Sequence, residues 1–120
     1  WDDKVYFVNR GDPLNIPNIP IHGVAMIGLR AISPGKPAYL GSNLHISMGL
    51  EVSNWIEKPN GIDFKISLPR NTNGHVTLAL PKEPIKAFQD KTQLEWFKVR
   101  EGVYRFNIHL PFRTEISIEW

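Results

Sequence analysis

Apolar and polar residues alternate along much of this chain. Between residues 62 and 68 every second residue is apolar, and the same alternation resumes over residues 76–80. A two-residue period places alternate side chains on opposite faces of a β-strand, so both segments are predicted strands with one buried face. Residues 70–74 between them are rich in turn-forming types. The pattern therefore predicts a β-hairpin over residues 61–80.

Similar apolar or alternating runs, separated by Gly, Pro, Asn and Asp, occur from one end of the chain to the other. We predict strands over residues 5–8, 23–32, 39–40, 44–46, 50–57, 94–99, 103–108 and 116–120. Residues 100–102 contain a glycine suited to a tight hairpin, and residues 81–90 read as a loop or a bent strand. Short strands at this spacing are typical of an all-β fold, an antiparallel, Greek-key-like β-sandwich of about 8–10 strands.

Composition limits the classes of function. A length of 120 residues predicts one domain, 1–120, and the 14 Lys and Arg are scattered and nearly balanced by 12 acids, which argues against a nucleic-acid partner. There is no cysteine, which slightly favours a reducing, cytoplasmic location. No membrane-length apolar run or signal pattern occurs, so no membrane partner is expected. Because Trp1 is not an initiator residue, we expect a piece of a larger polypeptide.

The four histidines are too far apart in the sequence to form a local metal-ligand pair. Zinc sites usually place ligands three to five residues apart. We therefore predict no metal site and no cofactor, with spatial convergence of three histidines, as in cupin-like jelly rolls, left as the alternative. The residues concerned are His22, His45, His75 and His109.

The acids do not form an evident catalytic pair. Glu51 and Glu57 lie on one predicted strand and one face, about 20 Å apart at the rise of an extended chain, which is too far for glycoside hydrolysis. The sequence also lacks a Gly-x-Ser-x-Gly elbow and a phosphate-binding glycine loop. We therefore predict that the chain has no catalytic residues and is not itself an enzyme.

Aromatic residues are the remaining candidates for ligand binding. Tyr39, Trp55 and Trp96 offer flat rings that could stack on a sugar. Trp55 is opposite in phase to Val52 and Ile56, so we expect it on the exposed face. These residues make a carbohydrate-binding module one candidate function.

Three segments of the sequence resemble a known domain. They are residues 4–12, 20–30 and 39–52, and the second contains Pro-x-His-Gly ahead of a predicted strand that ends in Leu-Arg. Together they resemble the C-terminal β-sandwich that follows the catalytic barrel in α-galactosidase (melibiase)-like glycoside hydrolases. In such enzymes the catalytic aspartates belong to the barrel, so the resemblance assigns no catalytic residue here.

The resemblance implies an accessory domain that packs against the catalytic domain of the same polypeptide. Such a domain needs an apolar docking surface. The proline-rich stretch 13–20 is predicted as an extended loop, and its apolar residues are the candidates for that surface: Leu14, Ile16 and Ile19. The alternative is the carbohydrate-binding module.

Overall fold

Strands make up all the regular structure in the computed structural model, which describes residues 4–16, 19–47 and 49–120. Over these ranges there are nine strands and no helix. The strands are β1 (Ala38–Ser42), β2 (Val52–Lys58), β3 (Gly61–Ser67), β4 (Thr72–Ala79), β5 (Lys86–Gln89), β6 (Thr92–Gln93), β7 (Trp96–Arg100), β8 (Val103–Leu110) and β9 (Arg113–Glu119). Trp1 lies outside the described residues.

The strands form two antiparallel sheets that pack face to face. Sheet A has the order β1-β4-β8-β7, and sheet B has the order β2-β3-β9-β5-β6. The chain crosses between the sheets at most of its connections, including β1 to β2, β3 to β4 and β8 to β9. The predicted β-sandwich is confirmed, and nine strands fall within the expected number.

One predicted hairpin is correct and the other is wrong. β7 and β8 pair directly, and Gly102 takes the positive φ of 69° that their tight connection requires. β3 and β4, however, belong to different sheets: β3 pairs with β2 and β9, and β4 pairs with β1 and β8. Alternation sets which face of a strand is buried, but it does not choose the neighbouring strand.

The core lies between the sheets and follows the predicted register. Ile62 and Ile66 of β3 are fully buried and Phe64 is 1% exposed, while Lys65 faces outward and pairs with Glu115 on β9. Each fully buried aliphatic or aromatic side chain contributes about 1.5–3 kcal/mol relative to exposure. The largest fully buried side chains in the rest of the core are Tyr104, Phe106, Leu44, Leu78, Leu110, Ile116 and Ile118.

The described residues ahead of β1 form no strand, so the strands predicted over 5–8 and 23–32 are wrong. A strand needs a neighbour to accept and donate its ladder hydrogen bonds. The edge strands of sheet A pair only inward, β1 with β4 and β7 with β8. We call residues 4–36 the N-terminal segment; its residues 17 and 18, part of the predicted proline-rich loop, lie outside the described ranges.

Turns organise the N-terminal segment in place of strands. The Gly23 amide donates to the Pro20 carbonyl at 2.7 Å, and His22 takes a positive φ of 64° within this turn. The guanidinium of Arg100 on β7 lies 4.4 Å from the centre of the Phe7 ring, which attaches the segment to the edge of sheet A. The short strand predicted over 44–46 is also absent, because those residues form turns between β1 and β2.

Candidate functional site

A buried carboxylate joins β1 to the start of β2. Glu51 is 3% exposed, and its Oε1 accepts hydrogen bonds from the Tyr39 hydroxyl at 2.8 Å and the Ser42 hydroxyl at 2.6 Å. Its Oε2 accepts from the Ser47 hydroxyl and the Gly49 amide, each at 2.8 Å. We call these five residues the Glu51 cluster.

The β1–β2 connection brings the Glu51 cluster together. β1 supplies Tyr39 and Ser42, and turns within residues 43–47 and 49–50 return the chain so that Glu51 meets them. The Glu51 carbonyl also accepts from the Ser67 amide at the end of β3, 3.0 Å away. The expectation that Glu51 and Glu57 lie on one strand and one face is wrong, because β2 begins after Glu51 and Glu51 is buried whereas Glu57 is exposed.

The protonation states in the cluster are well defined. Burial by itself would raise the pKa of the Glu51 carboxyl, but the hydrogen bonds from Ser42, Tyr39 and Ser47 favour the charged form and hold its pKa below the ordinary value. Burial, with a smaller contribution from the Glu51 charge, raises the pKa of Tyr39 far above its usual range. At neutral pH Glu51 is therefore an anion that accepts hydrogen bonds, and Tyr39 is a neutral donor.

A surface depression of about 420 Å³ lies beside the Glu51 cluster. Its lining includes Tyr39, Ser47 and Gly49 from the cluster, with Arg30 and Trp55 at its sides. A Cβ on Gly49 would lie 2.8 Å from an Nη atom of Arg30. The missing side chain at residue 49 thus leaves room for the guanidinium to lie against the backbone.

Trp55 is not on the exposed face where its phase in the sequence predicts it. Asn54 takes a positive φ of 52°, and the pairing of β2 with β3 shifts between Ser53 and Ile56. Such a bulge reverses the faces of the residues that follow. Trp55 therefore packs on Phe64, with ring centres 5.3 Å apart, and Ile56 is 55% exposed instead.

The third predicted sugar-stacking residue lies elsewhere. Trp96 belongs to β7 of sheet A and packs on the core, its ring centre 6.2 Å from that of Phe106. The structure thus brings Tyr39 and Trp55 into one depression and leaves Trp96 apart from them. Phe97, adjacent to Trp96, is the ring that points outward, with 48% of its surface exposed.

The three predicted docking residues do come together. Leu14, Ile16 and Ile19 line a groove of about 1260 Å³ formed mainly by the N-terminal segment. Leu40 of β1 and Ile46 of the β1–β2 connection contribute the side of the groove that belongs to the sandwich. We call this feature the apolar groove.

Sequence reasoning did not find three strongly exposed apolar residues of the N-terminal segment. Ile21 is 90% exposed, Val24 is 88% exposed and Leu29 is 75% exposed. They lie in or next to the run over 23–32, which was predicted to be a strand. The signal that could have corrected this is the proline and glycine on either side of Ile21, which favour a turn over a ladder.

Metal-binding side chains are dispersed. Over the described ranges, no three or more His, Asp or Glu side chains approach closely enough to hold a metal ion. Two of the histidines instead contact polar neighbours: Nδ1 of His45 is 2.8 Å from the Ser47 hydroxyl, and Nδ1 of His109 contacts Oδ1 of Asn73.

No family model matches this chain, and no curated protein or solved structure matches it. Among the described residues there is also no helix with the length and apolarity to span a bilayer.

Proposed function

We propose that this chain is a non-catalytic accessory domain of an α-galactosidase-like glycoside hydrolase. In this proposal it packs against the catalytic barrel of the same polypeptide through the apolar groove. The observation that carries the proposal is the groove itself, in which Leu14, Ile16 and Ile19 meet at the surface.

The groove and the exposed residues beside it form an apolar surface that a neighbouring domain would bury. Contiguous apolar patches of more than a few hundred Å² are uncommon on monomeric proteins and mark interaction surfaces when they occur. Ile19 is 52% exposed and Ile21 is 90% exposed. Burial of such side chains under a neighbouring domain would be favourable by about 25 cal/mol for each Å² removed from water.

The kind of partner comes from the resemblance to the sandwich that follows the barrel in these enzymes. Residues 20–23, which carry its Pro-x-His-Gly motif, form the turn at the edge of the apolar groove, where Pro20 and Gly23 line the wall. The motif and the candidate docking surface thus coincide. A catalytic barrel is accordingly the partner that we propose.

Dye binding tests the surface, and the reading frame tests the partner. We expect 8-anilinonaphthalene-1-sulfonate to fluoresce with the wild-type chain and much less with the double variant Leu14→Ser/Ile19→Ser. The matched control is Ile85→Ser, which changes a residue that is 69% exposed and outside the groove. We also expect the gene to encode a (β/α) barrel upstream. The proposal is contradicted if the dye does not fluoresce with the wild-type chain. It is also contradicted if the reading frame encodes no (β/α) barrel upstream.

A carbohydrate-binding module is the second candidate, favoured by the meeting of Tyr39 and Trp55 in one depression. Two aromatic rings beside Arg30 and Ser47 combine stacking surface with hydrogen-bond donors. Titration with galactosides and polysaccharides should quench tryptophan fluorescence saturably, and Arg30→Ala and Trp55→Ala should abolish the change. Trp96→Ala is the matched control. This candidate is ruled out if Arg30→Ala and Trp55→Ala both show the same fluorescence quenching as the wild type. It is also ruled out if no sugar quenches the fluorescence of the wild type.

A further inference from the structure

The outer face of sheet A carries a group of polar side chains that neither candidate surface uses. On β8, exposed or half-buried residues alternate with buried ones, so the side chains at positions 105, 107 and 109 point away from the core, and the strand register places their β4 partners on the same face. The residues on this face are Asn73 and His75 on β4 and Arg105, Asn107 and His109 on β8, with Thr77 beside Arg105 only 5% exposed.

The strand register places these side chains in rows across the sheet. Asn73 lies opposite His109, and His75 lies opposite Asn107. Arg105 lies opposite Thr77 on one side and Phe97 of β7 on the other. Phe97 thus shares the face with the polar residues and is its exposed aromatic ring.

Contacts within the face hold several of these groups in place. Nε of Arg105 donates to the Thr77 hydroxyl at 3.3 Å, and its guanidinium lies 5.7 Å from the centre of the Phe97 ring. Nδ1 of His109 contacts Oδ1 of Asn73. Side chains that are already ordered lose less conformational entropy when a ligand binds.

The chemistry of the face narrows the class of ligand. Asn and His side chains both donate and accept hydrogen bonds, which suits hydroxyl groups. The single charge of Arg105 is too little for a nucleic-acid backbone, which is bound by several cations. One exposed ring offers too little apolar area for a protein partner, but it can stack on the apolar face of a sugar.

We propose that this face, centred on Phe97 and Asn107, binds a neutral oligosaccharide. The sugar ring lies on Phe97, and its hydroxyls bond to Asn107, His75 and Asn73 across the sheet. The three strands involved lie about 4.8 Å apart, so the face is about 10 Å wide. The inference stands on its own observations and does not depend on docking at the apolar groove.

Affinity electrophoresis tests the proposal with three neutral polysaccharides: galactomannan, xyloglucan and soluble starch. At least one of them should slow the migration of the wild-type chain through the gel. Phe97→Ala and Asn107→Ala should each reduce that retardation at least threefold. Phe112→Ala is the matched control, since Phe112 is 61% exposed and lies outside this face. Thermal melts of all variants would show that they fold.

The outcomes separate the possible sites. Loss of retardation in Phe97→Ala and Asn107→Ala, with retention in Phe112→Ala and Trp55→Ala, supports the proposed face. Loss in Trp55→Ala alone places the sugar in the depression and overturns the proposal. A wild-type chain that no polysaccharide retards also overturns it, while dye binding at the apolar groove would be unaffected.

Discussion

The N-terminal segment and the sandwich use similar residues in opposite ways. Ile21 in the segment is 90% exposed, whereas Ile66 in β3 is fully buried. Ile66 belongs to an alternating run that is paired on both sides, by β2 and by β9. Ile21 belongs to a turn without a ladder. The comparison teaches that apolar content alone does not bury a residue; the backbone around it must also find hydrogen-bond partners.

The two isoleucines provide the strongest test of this comparison. Ile66→Asp places a charge among fully buried side chains and should cost more than about 4 kcal/mol, enough to unfold the chain. Ile21→Asp should change the unfolding free energy by less than about 0.5 kcal/mol. Circular dichroism and urea unfolding measure both. Similar losses in the two variants would mean that the segment is packed as tightly as the core.

Two glutamates sharpen the contrast within the sandwich. Glu51→Ala leaves four buried or half-buried donors without their acceptor and should cost on the order of 3 kcal/mol. Glu57→Ala removes an exposed carboxylate that pairs with Lys36 at 3.7 Å, and should cost less than about 0.5 kcal/mol. Equal midpoints in urea would show that the Glu51 cluster does not stabilise the fold.

Substitutions of two glycines compare the cost of a steric clash, at Gly61, with the cost of a positive φ, at Gly35. A Cβ at Gly61 would lie 2.6 Å from the carbonyl oxygen of Ile118, so Gly61→Ala should cost about 2 kcal/mol. Gly35 in the N-terminal segment has a φ of +75°, and no heavy atom of the described residues beyond its two chain neighbours would lie within 4 Å of a Cβ there, so Gly35→Ala should cost about 1 kcal/mol. Because Asn tolerates positive φ, Gly35→Asn should recover part of the loss, and Gly61→Asn should recover none.

The smallest expected effect is the pH dependence from Glu51. Its pKa is lowered in the folded chain, so the unfolded chain binds more protons at acid pH. The stabilisation is therefore complete above 4.5, the ordinary value, and is lost as the pH falls through the folded pKa. Thermal melts of Glu51→Gln should show a shallower decline at acid pH than the wild type. Asp63, whose pKa is also lowered, remains in both chains, and parallel declines would contradict the assignment.

The sequence predicted the alternating strands well because alternation is a local property. The buried apolar residues of β3 and β9 follow the predicted period of two, and the β7–β8 connection contains the glycine that the sequence predicted for it. The hairpin over 61–80 failed because both flanking strands could pair with any antiparallel neighbour. β3 pairs instead with the preceding β2 and with β9, and β4 pairs with β1 and β8; β8 and β9 lie tens of residues further along the chain.

The candidate sites were less predictable than the strands. One residue in an unusual conformation, Asn54, turned Trp55 inward, and no count of alternating positions would reveal it. The Glu51 cluster depends on turns that bring Ser42 and Ser47 to the same carboxylate. Leu14, Ile16 and Ile19 line one groove, in keeping with the prolines around them, which disfavour a central strand, and their role in docking stays a prediction.

The sequence by itself determined that this chain is a β-sandwich and which face of most strands is buried, because the side-chain period of a strand is a local consequence of backbone geometry. Only the tertiary structure decided which strands share a sheet, that Glu51 is buried and that Phe97 is the outward ring. Those features depend on contacts between distant residues and on single bulges, where one residue reverses the face of all that follow.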